Sequence, residues 1–240
     1  MKTSNKIFLA TLVLLLGSLT AYNMALRAEQ RTGNYKDPLH SYNAMAFSNF
    51  DEISVLSASG INVKIEAGPF GVHVAKNAAE YVRITQQGQQ LSVSLAFPKE
   101  SKWLGAADAV VISCPRLRAL TTDGIYTAAG KTVREKMGQN CDIVVKGFTQ
   151  DSLSLRQDRA SQVKLEGNTL GWLRAVAGTS PGSGSGLQIG QDNRIQAADL
   201  AIGCQGHLNL ATGIASLRQQ FSDSASVTFS GAAARRLSAR

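Results

Sequence analysis

The chain has 240 residues, of which 44% are hydrophobic, only 6% aromatic and 18% charged, and it carries 22 Gly. A core is within reach but must be built from Leu, Ile, Val and Ala; the profile fits neither a disordered chain nor a helical bundle. The net charge of +8 comes partly from Lys2, Lys6 and Arg27 around an N-terminal apolar run and from Arg235, Arg236 and Arg240 at the other end. No Lys/Arg cluster is interleaved with aromatic residues, which argues against nucleic acid as a partner.

Lys2 and Lys6 precede an apolar stretch from Ile7 to Leu26, 20 positions long. A helix of ~20 residues at ~1.5 Å each matches a ~30 Å hydrocarbon core, so residues 1–27 read as an uncleaved signal anchor. A cleaved signal peptide is the alternative, but no A-x-A follows the apolar run and no Cys is placed to carry a lipid. Both readings export the rest of the chain. Residues 28–49, with Pro38, read as a spacer, and residues 50–240 as the body.

In the body, FDEISVLSASGINVKIEAG alternates apolar and polar positions: Ile53 and Val55, then Ile61, Val63 and Ile65. This is the period of strands around a turn. LSVSL, with Leu91, Val93 and Leu95, and the run AVVISC continue the pattern before Pro115 breaks it. Cys114, Cys141 and Cys204 form no C-x-x-C and cannot all pair within one chain; Cys114 and Cys204 lie beside apolar runs and read as small buried hydrophobes.

Beyond Asp142 a repeat appears. SQVKLEG, SGLQIGQ, GHLNLAT and ASVTFSG have their first apolar residues at Val163, Leu187, Leu208 and Val227, spaced 24, 21 and 19 apart. Each is preceded by another strand-like unit, DSLSL, GWLRAVA, ADLAI or IASL. A unit of ~20 residues with two short strands predicts an all-β solenoid of stacked rungs, with a β-sandwich as the alternative. Gly60, Gly147, Gly167 and Gly186 are expected at turns, and Ala232–Arg240 as a terminal helical cap over open strand edges.

The stretch Gly178–Gly186, GTSPGSGSG, interrupts the repeat between two strands. It lacks the Lys-Ser/Thr of a phosphate loop, and a strand follows where a helix N-terminus would be needed. Gly182 and Gly184 lack the third Gly of a dinucleotide fingerprint, and the G-x-S-x-G at Gly182–Gly186 has no strand-to-helix elbow. An enlarged turn fits best. Its residues Gly178, Ser180, Ser183 and Ser185, with Trp172 nearby, form the candidate interaction loop.

His40, His73 and His207 share no metal-ligand spacing. Asp142, Asp151, Asp158, Asp192 and Asp199 lie in the repeat region, where turn Asp residues ordinarily satisfy local backbone N–H groups. Convergence of two of them beside a basic residue would point to a polysaccharide lyase or glycosidase, with Trp103 and Trp172 as sugar platforms. No catalytic, metal or cofactor residue is assigned. The reading is of a non-catalytic, membrane-anchored binding, adhesion or scaffold module, its partner an envelope protein or a glycan; the carbohydrate-active enzyme is the alternative, and oligomeric state stays open.

Phe50, Ile53, Val55, Gly60, Ile61, Val63 and Ile65, followed by Pro115, Leu117 and Leu120 and by the turn Ser183–Gly186, resemble the auto-transporter adhesin head GIN domain family over about Phe50–Gly231. Ser101–Ala107 and Val133–Asn140 depart from it as insertions. The resemblance implies a right-handed, single-stranded β-helical, non-enzymatic domain of the cell envelope and brings no binding residues.

Overall fold

The computed structural model describes residues 3–33, 37–135 and 141–238. Lys2, Lys36, Arg240 and the part of Val133–Asn140 beyond Glu135 lie outside the described residues. The chain divides into a unit through Tyr42 and a body from Asn43.

The first unit is dominated by helix α1, Thr3–Thr32. Its stretch Asn5–Arg31 is long and apolar enough to cross a membrane. Its apolar side chains, Ile7, Phe8, Val13 and Leu14 among them, are not buried within the helix's own unit, and its length and composition suit a signal or an anchor. Three of its hydroxyls are already satisfied along the helix: those of Thr11, Ser18 and Thr20 donate to the carbonyls of Ile7, Leu15 and Leu16 at 2.7–3.0 Å. That local bonding removes most of the cost of placing a hydroxyl in hydrocarbon. The helix runs on to Thr32, into the expected spacer.

The body strands are β1 (Tyr42–Met45), β2 (Glu52–Val55), β3 (Val63–Ala67), β4 (Gly71–Ala75), β5 (Val82–Gln87), β6 (Gln90–Phe97), β7 (Val110–Cys114), β8 (Ala119–Thr122), β9 (Ile125–Ala128) and β10 (Lys131–Arg134). They continue with β11 (Ile143–Lys146), β12 (Thr149–Gln157), β13 (Gln162–Glu166), β14 (Thr169–Ala177), β15 (Gly186–Ile189), β16 (Arg194–Ile202), β17 (His207–Leu210), β18 (Ser216–Phe221) and β19 (Ser226–Phe229), before helix α2 (Gly231–Ser238).

These strands form two large sheets. One has nine strands in the order β1-β4-β7-β3-β11-β13-β15-β17-β19. The other has ten, in the order β10-β9-β6-β2-β8-β12-β14-β16-β18, with β5 attached to β6. Their inward residues belong to one core, as Ile65, Val145, Leu165 and Ile189 from the first sheet join Leu155, Leu173 and Leu200 from the second. The reason is the period of two: β6 alternates half-buried and buried along its whole length, and β13 does the same.

The expected single-stranded β-helix of ~20-residue rungs is therefore corrected. The sheets are mixed: β5 with β6, β4 with β7 and β9 with β10 pair antiparallel, while the ladders from β7 through β3 and β11 to β19, and from β9 through β6, β2 and β8 to β18, are parallel. One repeating coil would produce no hairpins and no such strand order. Two mixed sheets enclosing one core fit the sandwich alternative. The repeat survives as register: Val163 pairs with Leu187, Leu187 with Leu208, and Leu208 with Val227. What those four residues mark is one row of core side chains across the nine-stranded sheet.

Phe50, Ile53, Val55, Ile61, Val63, Ile65, Leu117 and Leu120 are all buried. The residues that carry the family resemblance are thus core residues. Of the expected turn glycines, Gly147 (φ +78°) and Gly167 (φ +60°) take the left-handed conformation that favours glycine. Gly186 instead opens β15, where a side chain would collide with the Gln162 amide.

Candidate functional site

The GTSPGSGSG segment leaves β14 at Gly178 and re-enters the nine-stranded sheet at Gly186. It folds back on Asp158, the residue after β12. Asp158 accepts from the Thr179 hydroxyl (2.9 Å), the Ser180 backbone N–H (3.0 Å) and the Ser180 hydroxyl (2.5 Å). The Ser183 hydroxyl accepts from the Arg159 N–H and donates to the Ser185 hydroxyl. Arg159 in turn donates to both Asp123 carboxylate oxygens, at 2.7 and 2.5 Å, and lies 3.6 Å from Asp158.

Burial alone would push the Asp158 carboxyl up; the hydrogen bonds from Ser180, Ser183 and Thr179 outweigh it and hold the pKa at about 2. A group so strongly ionised cannot serve as the general acid of glycosidic cleavage, which needs a raised pKa. The Thr179 and Ser180 donors are already taken by this resident carboxylate and are not free for a phosphate. Gly178, Ser183 and Ser185 are buried, and Ser180 is half-buried and bonded to Asp158, so only Thr179 and Pro181 stand fully exposed. As an interaction loop the segment is thus smaller than expected, and its serines act inward.

The outer face of the ten-stranded sheet is different. Register places Ser154 beside Arg174, Arg174 beside Asp199 and Asp199 beside Arg218, one column across β12, β14, β16 and β18. Arg218 approaches Asp199 only to 3.9 Å and stands 5.6 Å from the centre of the Trp172 ring. Since β16 separates β14 from β18, with Ala197 at the outward position between Trp172 and Ser216, both long side chains lean over that strand. Trp172 is 37% exposed. Arg156 and Arg174 have no ion pair among the described residues, in contrast to Arg118, which meets Asp51 and Glu52. On the opposite, nine-stranded sheet, two outward lysines have their own carboxylates, Lys64 with Glu66 at 2.6 Å and Lys164 with Asp142 at 2.7 Å, while Lys146 at the end of β11 is exposed without one among the described residues.

The remaining sequence candidates scatter. Asp142, Asp158 and Asp199 bond to separate partners, Asp151 lies in β12 and Asp192 lies between β15 and β16. Trp103 is 63% exposed in the segment between β6 and β7. Among the described residues no three His, Cys, Asp or Glu side chains gather as a metal site. Cys114, Cys141 and Cys204 are all thiols; burial raises Cys114 to about 12 and Cys141 to about 11. Cys204 is only half-buried.

Asp123, Arg159 and the Arg174–Asp199–Arg218 column are absent from the sequence reading. The column carried a usable signal: aligning the strand-like units that precede the four repeat segments puts Arg174, Asp199 and Arg218 in one register. The Asp123–Arg159 pair carried none, because its members come from different repeats.

No family model matches the chain, and no curated protein matches it. Among solved structures it is similar to a "putative adhesin" from Bacteroides fragilis, with a TM-score of 0.52 and 12% identity over 79% of this chain and 93% of that one. A "putative adhesin" from Parabacteroides distasonis (TM-score 0.39, 14% identity, 79% and 93% coverage) and a "putative lipid binding protein" from the same organism (0.29, 14%, 79% and 94%) are more distant in shape. What this chain shares with the Bacteroides fragilis protein is its fold.

Proposed function

We propose that this chain is a membrane-anchored, exported, non-catalytic binding module of a Gram-negative cell envelope, an adhesin head of the GIN type. α1 supplies the anchor and the outer face of the ten-stranded sheet supplies the binding surface. The observation that carries this reading is the exposed Trp172 with Arg218 over its ring and Arg174, which has no ion pair among the described residues, two positions along the same strand, on a run of parallel strands. A hydrogen-bonded array of strands with a partly solvated aromatic and an unpaired arginine, Arg174, has the composition of a recognition surface. The fold shared with a protein named as an adhesin supports the same reading.

Protease added to intact cells and to spheroplasts tests the topology, with the full chain followed by immunoblot. Digestion of the body in either preparation is the expected result, and protection until the inner membrane is broken would sink the export reading. A photo-crosslinking residue at Ser216 should capture an envelope protein or glycan, while the same residue at Gln188 on the opposite sheet should not. Equal capture from both positions would refute the assignment of the face.

A further inference from the structure

Resting on the reading of α1 as a membrane anchor, we infer that Trp103 seats the body on the phospholipid bilayer that holds α1, with its indole among the headgroups and Lys99 toward anionic lipid. Trp103 lies in the segment between β6 and β7 and is 63% exposed, the most exposed large apolar side chain among the described residues of the body. Looseness of the segment does not explain this exposure. Leu104 is buried in the core, the Asn62 amide donates to the carbonyls of Gly105 and Ala106 at 3.3 Å, and the Asn77 amide donates to that of Leu104 at 3.4 Å. On the other side, the Lys102 ammonium stands 5.8 Å from the centre of the Tyr81 ring, which itself packs on Phe97. With Lys102 and Leu104 both turned onto the body, Trp103 between them is turned away from it. No ring or cation among the described residues stands against Trp103, in contrast to Trp172 under Arg218.

An indole with a bare apolar face and a free N–H fits the headgroup region, where the ring is sheltered from water and the N–H meets ester and phosphate oxygens. The residues that follow, Gly105, Ala106 and Ala107, offer a sugar no side-chain hydrogen bond, but they are small enough to let the ring approach a bilayer closely. Lys99 is exposed without an ion pair among the described residues, and with Lys102 it outweighs Glu100 in the same segment, which favours anionic lipid. Only residues 33–41 separate α1 from β1, and nine residues reach at most about 30 Å when fully extended. A bilayer that holds α1 is therefore always close to the body. A contact too weak to recruit a free protein is strong enough to hold a tethered one.

The test reconstitutes the full chain in nanodiscs of phosphatidylcholine with a minority of phosphatidylglycerol. The chain has two Trp, so Trp172→Phe leaves Trp103 as the only reporter and Trp103→Phe leaves Trp172. Replacing the phosphatidylcholine by its chain-brominated form should quench Trp103 emission about twofold and leave Trp172 emission unchanged. Lys99→Glu, added to Trp172→Phe, should lower that quenching by about half, and a variant quenched as before would strike Lys99 from the contact. Unchanged denaturant midpoints confirm that each variant is folded. Unquenched Trp103, or equal quenching of Trp103 and Trp172, would overturn the inference. A photo-crosslinking residue at position 103 in native cells should form lipid adducts; a protein or glycan adduct in their place would assign the segment to that partner and overturn the inference as well. If the full chain fails to enter the discs, the anchor reading falls and the inference with it; if it enters and Trp103 stays unquenched, the inference alone falls.

Discussion

The Asn193 side-chain oxygen accepts both the backbone N–H and the side-chain amide of Asn168, each at 3.0 Å. Asn168 repeats the relation one step along: its own side-chain oxygen accepts the Phe148 N–H at 3.0 Å. Their amide groups donate to the carbonyls of Val145, Leu165 and Gly190, and the Thr212 hydroxyl donates to the Asn193 carbonyl. All three side chains are buried where chain segments cross from the nine-stranded sheet to the ten-stranded one. This stack satisfies corner backbone groups that no ladder can reach.

Removing one member leaves its buried neighbours without partners, which costs far more than a neutral hydrogen bond contributes. Asn193→Ala should therefore destabilise the body by roughly 2–4 kcal/mol. Denaturant unfolding of the full chain in detergent micelles, followed by near-UV circular dichroism, measures this; a loss below about 0.5 kcal/mol would refute a structural role for the stack.

Asp158 links stability to acid. Its folded pKa of about 2 lies below the ordinary 3.8, so its contribution is fully present above about pH 4 and is lost as pH falls through 2. The unfolding midpoint of the native chain should drop across that window, and Asp158→Asn should drop less steeply while starting lower at pH 7. Parallel curves for the two proteins would show that the Thr179 and Ser180 bonds do not act through the carboxylate.

Gly178 has φ +77°, and a side chain there would stand 2.9 Å from the Gly203 carbonyl oxygen of the next corner. Left-handed strain and backbone collision add, so Gly178→Ala should cost about 1–3 kcal/mol in thermal or denaturant unfolding. Gly182→Ala, where nothing lies within 4 Å, should cost less despite its φ of +72°. Equal losses would mean that strain alone decides.

The thiols differ in reactivity by position. Cys114 and Cys141 are buried with pKa values of about 12 and 11, so both remain protonated at neutral pH. Ellman's reagent should titrate Cys204 alone in the folded chain and all three after denaturation. Rapid labelling of a second thiol under native conditions would place Cys114 or Cys141 at the surface.

α2 covers the open end of the core, with Ala233 5% exposed beside Leu210 and Ile214. Ala233→Asp places a charge against that apolar end and should release the unpaired edges of β18 and β19. Concentration-dependent oligomers by light scattering are expected; an unchanged monomer would show that α2 does not protect the end.

Composition and periodicity by themselves determined much of this protein. The apolar run of Ile7–Leu26 made a helix there unavoidable, and alternation at Ile53, Val55, Ile61, Val63 and Ile65 set which side chains enter the core. Repeat spacing placed Val163, Leu187, Leu208 and Val227 in one row, because residues that share a core position recur at the interval of the winding chain. Tertiary structure alone decided the rest. Spacing does not say whether neighbouring strands pair parallel or antiparallel, and the hairpins at β5–β6 and β9–β10 turned an expected uniform coil into two mixed sheets. Nor could local sequence show that the serines of GTSPGSGSG turn inward onto Asp158, or that Arg174 and Arg218 share a column with Trp172 beside it. Those relations join residues some 20 to 45 positions apart in the chain, and they exist only once hydrogen bonding between distant strands has set the register.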